Sequence, residues 1–279
     1  MRTFEIIKFG SNELKKKNIP SHILDSEILL SKALNVPREK ILINLDKKIN
    51  KKRFFKFKDY LKRRSNNEPI AHILEEKEFW SKKFKVNKDT LIPRPETEML
   101  VEQVLNIYRG KTISILDIGT GSGCIIISLL GVLNKSKGIG VDVSKDAIQI
   151  AKINSLKHKL SKRSKFFNKS FENIVDKKFY LIVSNPPYIE RKELKNLSDD
   201  IKRYEPRIAL DGGNDGLDLI KKVIYKSKNI LKIKGTLALE IGNEQIKKVS
   251  KILIDNNFRI MNVIKDYKNN VRCVIACYN

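Results

Sequence analysis

From Ile113 onward, the chain alternates between short apolar runs and longer helical patterns, and this alternation restricts the possible folds most strongly. Seven runs have the length and composition of strands: ISILDIG, GIGVDV, SKFFN, FYLIVSN, GTLALEIG, FRIMNVIKD and VRCVIACY. Helical patterns such as GCIIISLLGVL and KDAIQIAKINSLKHK lie between them. Because parallel strands need crossovers of this kind, the alternation predicts an α/β fold with a mostly parallel, doubly wound, Rossmann-like sheet. The last two runs are too close for a crossover helix and predict an antiparallel edge pair.

The sequence pattern divides the chain into three predicted segments. Residues 1–72 have a helical pattern and are expected to form a small N-terminal domain. Residues 73–95 contain FWSKKFKV, which predicts a hairpin, and are expected to link two domains. Residues 96–279 are expected to form the sheet domain, whose first helix should begin at Glu96 or Thr97.

The segment SHILDSEILLSKALN predicts a principal helix of the N-terminal domain. Ser21 follows a proline and is expected to be its N-cap. Apolar residues at helical spacing are expected to face the core, and they are Ile23, Leu24, Ile28, Leu30 and Leu34. A second set at helical spacing is also predicted to be core, and it comprises Phe54, Phe57, Tyr60 and Leu61.

The composition indicates a globular protein with an unusually high charge. The 279 residues are 41% hydrophobic, which is enough for a buried core, and the formal net charge is +25. A polyanionic partner such as nucleic acid would explain this charge. Compositional drift would also explain it, because lysine dominates over arginine and occurs in every part of the sequence. The charge therefore decides neither the fold nor the function, and we expect no stable nucleic-acid partner to be required.

The histidines and cysteines show no spacing that is typical of a metal site. The chain has three of each, so no metal is predicted, and so few cysteines suit a reducing compartment. The first ten residues, MRTFEIIKFG, lack the apolar core of a signal peptide. The longest apolar tract contains Asp117 and several glycines, so no membrane span is expected. These features predict a cytoplasmic protein, and we expect it to be a monomer.

The sequence ILDIGTGSG places a strand directly before a glycine-rich turn and an apolar helix. Ligands of open α/β sheets bind at the carboxyl ends of strands, where glycines allow a close approach of the backbone. Two details disfavour a nicotinamide cofactor. Cys124 stands where G-x-G-x-x-G needs its third glycine, and the carboxylate of Asp117 would repel a pyrophosphate. The expected cofactor-binding residues are Asp117, Gly119, Thr120, Gly121, Ser122 and Gly123.

The second predicted strand, GIGVDV, presents Asp142 near its carboxyl end. An acid at this position can accept hydrogen bonds from two vicinal ribose hydroxyls. The alternative is a surface aspartate that only helps to begin the next helix. A ligand that carries a ribose and a positive charge but no phosphate corresponds to S-adenosylmethionine. The two strand ends together predict this cofactor.

The fourth predicted strand ends in Asn-Pro-Pro-Tyr, residues Asn185 to Tyr188. A planar amide or aromatic amine is a poor nucleophile, because its nitrogen lone pair is delocalised. The oxygen of Asn185 and the carbonyl of Pro186 can accept the two N–H hydrogens and so stabilise the charge that develops. Pro187 stiffens the corner and Tyr188 offers a ring for stacking. A tight turn after a buried strand would explain the prolines but not Asn185 and Tyr188.

Several motifs together resemble the protein-(glutamine-N5) methyltransferases of peptide chain release factors, the PrmC/HemK family. They are EPIAHIL, KEFW, FKVNKDTLIPRPETEMLVE, LDIGTGSG, VDVSKDAIQIAKIN, DKKFYLIVSNPPYI and YEPRIALDGGNDGLD. The resemblance runs from about Glu68 to the C-terminus. It implies a methyltransferase that uses S-adenosylmethionine to methylate the glutamine of the Gly-Gly-Gln motif in class 1 release factors. It also implies that the domain at residues 1–72 recognises the substrate.

The resemblance also implies roles for individual residues. The glycine loop, Asp142 and Asn185 would bind the cofactor, and the Asn-Pro-Pro-Tyr corner would hold the glutamine. Ser170 stands where the family contacts the adenine. The sequence departs from the family there, since Lys169 replaces an acid, and this leaves Phe167 or Phe171 as an alternative adenine wall.

Three alternative functions were weighed against this interpretation. An adenine N-methyltransferase of DNA would use the same corner but would need a base-flipping, target-recognition domain. A methyltransferase of ribosomal RNA or of a ribosomal protein would also suit the basic charge. A nucleic-acid-binding protein without enzymatic activity would leave Asp117, Asp142, Asn185 and Tyr188 without a purpose.

Overall fold

The computed structural model describes residues 1–175 and 178–279, so the first two residues of DKKFYLIVSNPPYI lie outside the described residues. The helices of the described residues are α1 (Thr3–Lys15), α2 (His22–Leu34), α3 (Arg38–Ile43), α4 (Lys51–Ser65), α5 (Ile70–Leu74), α6 (Pro95–Tyr108), α7 (Cys124–Val132), α8 (Lys145–Lys157), α9 (Asp199–Tyr204), α10 (Asp218–Ile230) and α11 (Ile246–Asp255). The strands are β1 (Glu76–Phe79), β2 (Lys82–Lys85), β3 (Ser114–Ile118), β4 (Lys137–Asp142), β5 (Ser164–Asn168), β6 (Phe179–Ser184), β7 (Leu231–Glu240), β8 (Phe258–Lys265) and β9 (Val271–Tyr278). Short 3₁₀ turns cover Phe171–Asn173, Arg191–Asn196, Arg207–Ala209 and Asn243–Gln245.

The chain divides into two compact units. The N-terminal unit comprises Met1–Glu76 together with Ser198–Tyr204, and the sheet unit comprises Lys77–Leu197 together with Glu205–Asn279. The hairpin strand β2 and the loop before α6 therefore belong to the sheet unit, and α9 belongs to the N-terminal unit. The boundaries at residues 72 and 95 stay predictions.

Helix α2 of the N-terminal unit buries only part of the face that was predicted. Ile23 and Leu24 are exposed, so their assignment to the core was wrong, whereas Leu30 is buried. The buried face instead contains Asp25 and Ser26. Its position follows from polar contacts and close packing, which an apolar pattern does not reveal.

Two contacts fix this face of α2. Asp25 forms an ion pair with Arg64 of α4 at 2.7 Å, and both side chains are largely buried. Ser26 lies against Gly10 of α1, where an added Cβ would come within 2.4 Å of the serine hydroxyl. The predicted N-cap, Ser21, does precede α2, but its hydroxyl donates to the Asp25 carboxylate rather than accepting from the helix backbone.

The second predicted core set of the N-terminal unit is confirmed. Phe57 and Leu61 of α4 are buried, and Phe54 and Tyr60 pack against the same cluster while remaining partly exposed. The cluster unites α1, α2 and α4 through Ile6, Leu14, Leu29 and Leu30.

The predicted mostly parallel sheet with an antiparallel edge pair is confirmed. Among the described residues, seven strands form one sheet in the order β5-β4-β3-β6-β7-β9-β8. The five strands β5, β4, β3, β6 and β7 are parallel to one another, and β9 is antiparallel to both β7 and β8. The chain passes from β3 to one side of the sheet and returns beside β3 as β6. The carboxyl ends of β3, β4 and β6 therefore meet where the strand order reverses, which is where open α/β sheets bind ligands.

Helices cover both faces of this sheet. One apolar cluster contains side chains of α6, α7 and α8 against β3 and β6, including Leu100, Ile126 and Leu181. The other contains side chains of α10 and α11 with residues such as Ile182 and Leu239. Within the described ranges, no helix has both the length and the apolar character that crossing a membrane requires.

Candidate active site

A cavity of about 330 Å³ lies at the carboxyl ends of β3, β4 and β6, within the sheet unit. Most of the predicted site residues line it, and these are Gly119, Thr120, Gly121, Ser122, Asp142, Asn185, Pro186 and Pro187. Asp117, Gly123, Ser170 and Tyr188 were also predicted but are not part of its lining. The cavity is also bounded by the loop before α6 and by the segment from Pro206 to Ala209.

The glycine-rich turn after β3 forms the floor of the cavity. Gly119 and Gly121 have φ values of +68° and +52°, which favour glycine strongly over other residues. An added Cβ at either position would meet no atom within 4 Å, so both glycines leave open space above the backbone. Gly123 instead lies close to Ala151 of α8, where an added Cβ would come within 3.3 Å.

Asp117 lies beneath this turn near the end of β3. Its carboxyl is completely buried, and its Oδ2 accepts a hydrogen bond of 2.7 Å from the Thr120 hydroxyl. Burial raises the pKa of Asp117 to about 7, and the hydrogen bonds from Thr120 and from the Ile126 backbone oppose that rise. Its Oδ1 has no hydrogen-bond partner among the described residues. Asp117 thus leaves a buried acceptor beneath the turn.

Asp142 ends β4 at the wall of the cavity. Its Oδ2 accepts from the Gly121 backbone N–H and its Oδ1 from the Ser144 N–H, both at 2.9 Å. Burial raises the pKa of Asp142, and these backbone hydrogen bonds limit the rise. The carboxylate is therefore held rigidly against the glycine turn, and α8 is capped by the Ser144 side chain instead.

The Asn-Pro-Pro corner follows β6 directly on the opposite side of the glycine turn. Asn185 is half-buried and Pro186 is buried, and both line the cavity with Pro187. Ser184, the last residue of β6, pairs with Ile118 of β3 and donates a hydrogen bond to its carbonyl. The corner is therefore tied to the strand that carries the glycine turn.

Tyr188 follows the two prolines but is not part of the cavity lining. Its ring packs against the apolar cluster of α10 and α11, and its hydroxyl lies 3.4 Å from Glu240 Oε1. Burial and the nearby carboxylate raise the pKa of Tyr188 above its ordinary value. The stacking role of Tyr188 stays a prediction.

Ser170 lies beside the cavity without lining it. Its hydroxyl caps the 3₁₀ turn that follows by accepting from the Glu172 backbone N–H at 3.2 Å. The neighbours Lys169 and Phe171 line the cavity instead, and Phe171 is buried, whereas Phe167 is partly exposed. Of the two alternatives for the adenine wall, Phe171 is the one that reaches the cavity.

A polar network that was not predicted from the sequence lies behind Asn185. Thr97 donates to Glu240 Oε2 at 2.6 Å and accepts from Asn185 Nδ2 at 3.3 Å. The prediction that Glu96 or Thr97 begins the helix was wrong, because α6 begins at Pro95 and Thr97 uses its side chain for this network. An available signal was the single acid in the otherwise apolar strand GTLALEIG.

A second missed contact shapes the rim of the cavity. Arg94 forms an ion pair of 2.5 Å with Glu205, and the other oxygen of Glu205 accepts from the Ile92 backbone N–H. Glu205 is buried. The pair joins the loop before α6 to the segment that carries Pro206 and Ile208, so two sides of the rim are fixed together.

Comparison with known proteins identifies both halves of the chain. A profile of the PrmC N-terminal domain matches residues 5–74, and a profile of the methyltransferase small domain matches residues 95–202. Among solved structures, the hMettl16 catalytic domain, solved in complex with a MAT2A 3′UTR hairpin, superposes with a TM-score of 0.60 at 16% identity. It covers 79% of this chain and 82% of that one. A methyltransferase from Pyrococcus furiosus has a TM-score of 0.53 at 16% identity over 70% of this chain and 87% of that one. These two structures support the fold.

Curated relatives extend over most of the chain. Release factor glutamine methyltransferase of Buchnera aphidicola subsp. Schizaphis graminum is 44% identical, and the match covers 89% of this chain and 90% of that protein. The protein of the same name from Fusobacterium nucleatum is 39% identical over 94% of this chain and 75% of that protein. A bifunctional methyltransferase of Rickettsia conorii is 38% identical over 97% of this chain. The chain spans 54–57% of the length of the Rickettsia proteins.

The predicted family, fold and enzyme class are all confirmed by these matches. The two profiles agree with a helical N-terminal region followed by a methyltransferase sheet. Relatives of the same name cover this chain almost from end to end. The chain belongs to the release factor glutamine methyltransferase family.

Proposed function

We propose that this protein transfers a methyl group from S-adenosylmethionine to the side-chain amide nitrogen, N5, of glutamine in the Gly-Gly-Gln motif of class 1 release factors. One observation carries the proposal: a single cavity is bounded by the glycine turn and Asp142 on one side and by Asn185 and Pro186 on the other. The family names of the relatives support release factors as the substrate. The same names do not favour the alternatives among ribosomal proteins, ribosomal RNA or DNA adenine.

The residues around the glycine turn suit S-adenosylmethionine. The open space above Gly119 and Gly121 admits a ligand against the backbone. The role predicted for Asp117 would be indirect, because its carboxyl is completely buried and accepts a hydrogen bond from Thr120, which lines the cavity. Asp142 is held where it can accept hydrogen bonds from ribose hydroxyls. When bound, the cofactor supplies the electrophilic methyl group of its sulfonium.

The adenine end of the cofactor is assigned to the side of the cavity beyond Asp142. Phe171 offers an apolar ring there, and Lys169 and Val143 complete the lining. Ser170 contributes through the 3₁₀ turn that it caps, which positions Phe171. The direct adenine contact of Ser170 stays a prediction.

The corner after β6 would hold the glutamine amide. Asn185 Oδ1 and the carbonyl of Pro186 accept the two N–H hydrogens of the amide, so the nitrogen lone pair faces the methyl donor. Both acceptors stabilise the positive charge that develops on nitrogen. Pro187 limits the motion of the corner, and preorganisation of this kind lowers the barrier.

The reaction needs little proton transfer machinery. The amide nitrogen gains a methyl group, and the bond between that group and the donor sulfur breaks. The methylated amide cation is a strong acid, so it loses one proton to water or to a neighbouring acceptor. No side chain is assigned as a dedicated general base.

The remaining predictions follow from the same proposal. The domain at residues 1–72 would recognise the release factor, residues 73–95 would link it, and residues 96–279 would carry the reaction. The protein would act in the cytoplasm on translation termination, as a monomer. No membrane and no stable nucleic-acid partner are required.

The proposal is tested by incubating the full chain with methyl-labelled S-adenosylmethionine and a purified class 1 release factor. We expect label on the release factor and none on a variant in which the Gln of the tripeptide is changed to Ala. Equal labelling of both factors would assign the methyl group to another residue and refute the proposed substrate. If neither factor is labelled, the proposed function is refuted.

A further inference from the structure

We infer that Thr97 and Glu240 are positioning residues that fix the orientation of the Asn185 carboxamide, so that its oxygen and not its NH₂ group faces the substrate. This inference rests on the proposed function, in which Asn185 Oδ1 accepts a hydrogen from the substrate amide. It adds a reason for two buried polar residues in the sheet unit that the reaction itself does not use.

The three side chains form a chain of hydrogen bonds with one direction. Asn185 Nδ2 donates to Thr97 Oγ1 at 3.3 Å, and Thr97 Oγ1 donates to Glu240 Oε2 at 2.6 Å. Tyr188 approaches the other carboxylate oxygen from the opposite side at 3.4 Å. Thr97 and Glu240 are each 2% exposed, so water does not compete for these bonds.

The direction of the chain follows from the number of protons. A threonine hydroxyl has one proton, and an ionised carboxylate can only accept. The short bond to Glu240 is charge-assisted, so it holds the Thr97 proton more strongly than a neutral acceptor would. Thr97 can then only accept from Asn185, which requires the NH₂ group of Asn185 to face inward. The oxygen of the Asn185 carboxamide then faces the cavity.

Protonation of Glu240 would remove this constraint. A protonated carboxyl can donate a hydrogen bond to Thr97. The Thr97 hydroxyl can then donate to Asn185 Oδ1, which stabilises the flipped orientation of the carboxamide. Burial raises the pKa of Glu240 to about 7, while the hydrogen bonds from Thr97 and Tyr188 lower it. Of the charged groups around it, Glu96 of α6 raises this pKa and Arg272 of β9 lowers it. The constraint is therefore expected to weaken below neutral pH.

The first test compares Thr97→Val, Thr97→Ser and the wild type by the single-turnover rate of release factor methylation at saturating cofactor. Thr97→Val should lower the rate by roughly tenfold, the effect of one lost hydrogen bond of ordinary strength. Thr97→Ser keeps the hydroxyl and should retain most of the wild-type rate. Binding of S-adenosylhomocysteine, measured by calorimetry, should change less than about threefold in both.

The matched control is Thr236→Val. Thr236 is also buried, lies four residues before Glu240 in β7, and its hydroxyl accepts from Tyr108 instead of contacting Asn185 or Glu240. This variant should be less stable but should keep the wild-type rate. If Thr97→Val and Thr236→Val have the same rate, the positioning role of Thr97 is refuted.

The second test is the pH profile, which remains decisive if Thr97→Val does not fold. The wild-type rate should rise about tenfold between pH 6 and pH 8, as one group titrating near 7 requires. Glu240→Gln cannot titrate and should give a flat profile. A rise that persists in Glu240→Gln would belong to another group, such as Asp117, and would overturn the inference.

Failure of the proposed function and failure of the positioning role give different results. If the wild type does not methylate the release factor, the proposed function fails. If the wild type is active but Thr97→Val matches it in rate, the proposed function stands and only the inference fails.

Discussion

At the scale of single residues, two carboxyl groups of the site are almost completely buried, those of Asp117 and Glu240. Burial raises the pKa of both Asp117 and Glu240 to about 7. A group whose pKa is higher in the folded than in the unfolded state binds a proton more tightly when folded. It therefore stabilises the fold at low pH, and this contribution is lost as the pH rises through the folded value.

The free energy of unfolding should thus depend on pH in a way that can be assigned to Glu240. Between pH 5 and pH 8, we expect it to decrease more in the wild type than in Glu240→Gln. The difference should be on the order of 3 kcal/mol, since one pKa unit corresponds to about 1.4 kcal/mol. Urea denaturation of the two proteins at both pH values measures it. If the free energies of unfolding of the two proteins change equally with pH, the Glu240 carboxyl has the same pKa in the folded and the unfolded state.

Asp142 gives a second residue-scale prediction, which concerns affinity. Asp142→Ala removes the acceptor proposed for the ribose hydroxyls, and two lost hydrogen bonds of about 1 kcal/mol each correspond to roughly thirtyfold weaker binding. Titration calorimetry with S-adenosylhomocysteine measures this. An unchanged dissociation constant would exclude a ribose contact.

The candidate site was predictable where a residue type and its place at a strand end both carry information. The glycine turn, Asp142 and Asn185 follow strands, and the structure brings them to one cavity. Thr97 was not predicted, because its partner Glu240 lies 143 positions away and only the fold joins them. Ser170 is different, because its hydroxyl caps the turn that directly follows it, and Ser170 does not line the cavity.

At the scale of secondary structure elements, strands were more predictable than helix faces. All seven predicted strands are present in the sheet, because each run is shorter than an ordinary helix and rich in β-branched or aromatic residues. The face of α2 was mispredicted in part, because its apolar residues almost encircle the helix. Its orientation is decided by Asp25 and Ser26, whose partners in α4 and α1 are distant in sequence.

The ion pair between α2 and α4 should therefore contribute strongly to stability. Arg64→Met leaves the buried Asp25 carboxylate without its partner, which should lower the free energy of unfolding by about 3 kcal/mol. The matched control is Arg2→Met, which removes the exposed ion pair with Asp46. Arg2→Met should lower the free energy of unfolding by less than about 1 kcal/mol. Similar losses in urea denaturation of both variants would contradict the structural assignment of the α2 face.

At the scale of the whole molecule, function follows from topology. The strand order reverses beside β3, so polar residues from three strands converge although they are far apart in the chain. The sequence predicted this convergence, because the rule for parallel sheets depends only on the order of strands and helices. It did not predict that Ser198–Tyr204 joins the N-terminal unit, because a short polar helix carries no signal for the unit to which it belongs.

The net charge of +25 is a second property of the whole molecule. So many like charges repel one another in the compact state, and salt screens this repulsion. Raising KCl from 20 to 200 mM should therefore increase the midpoint of urea denaturation. A midpoint that stays constant or decreases would show that local ion pairs dominate over the net charge.

The function proposed for the corner at Asn185 is to hold the reacting amide, with only a small contribution to cofactor affinity. The most direct measurement compares Asn185→Ala with the wild type, using the single-turnover rate of release factor methylation together with calorimetry of S-adenosylhomocysteine. The account predicts a rate lower by about 10²–10³, with the dissociation constant changed by less than about threefold. A rate within a few-fold of wild type, or a loss of cofactor binding as large as the loss of rate, would contradict it.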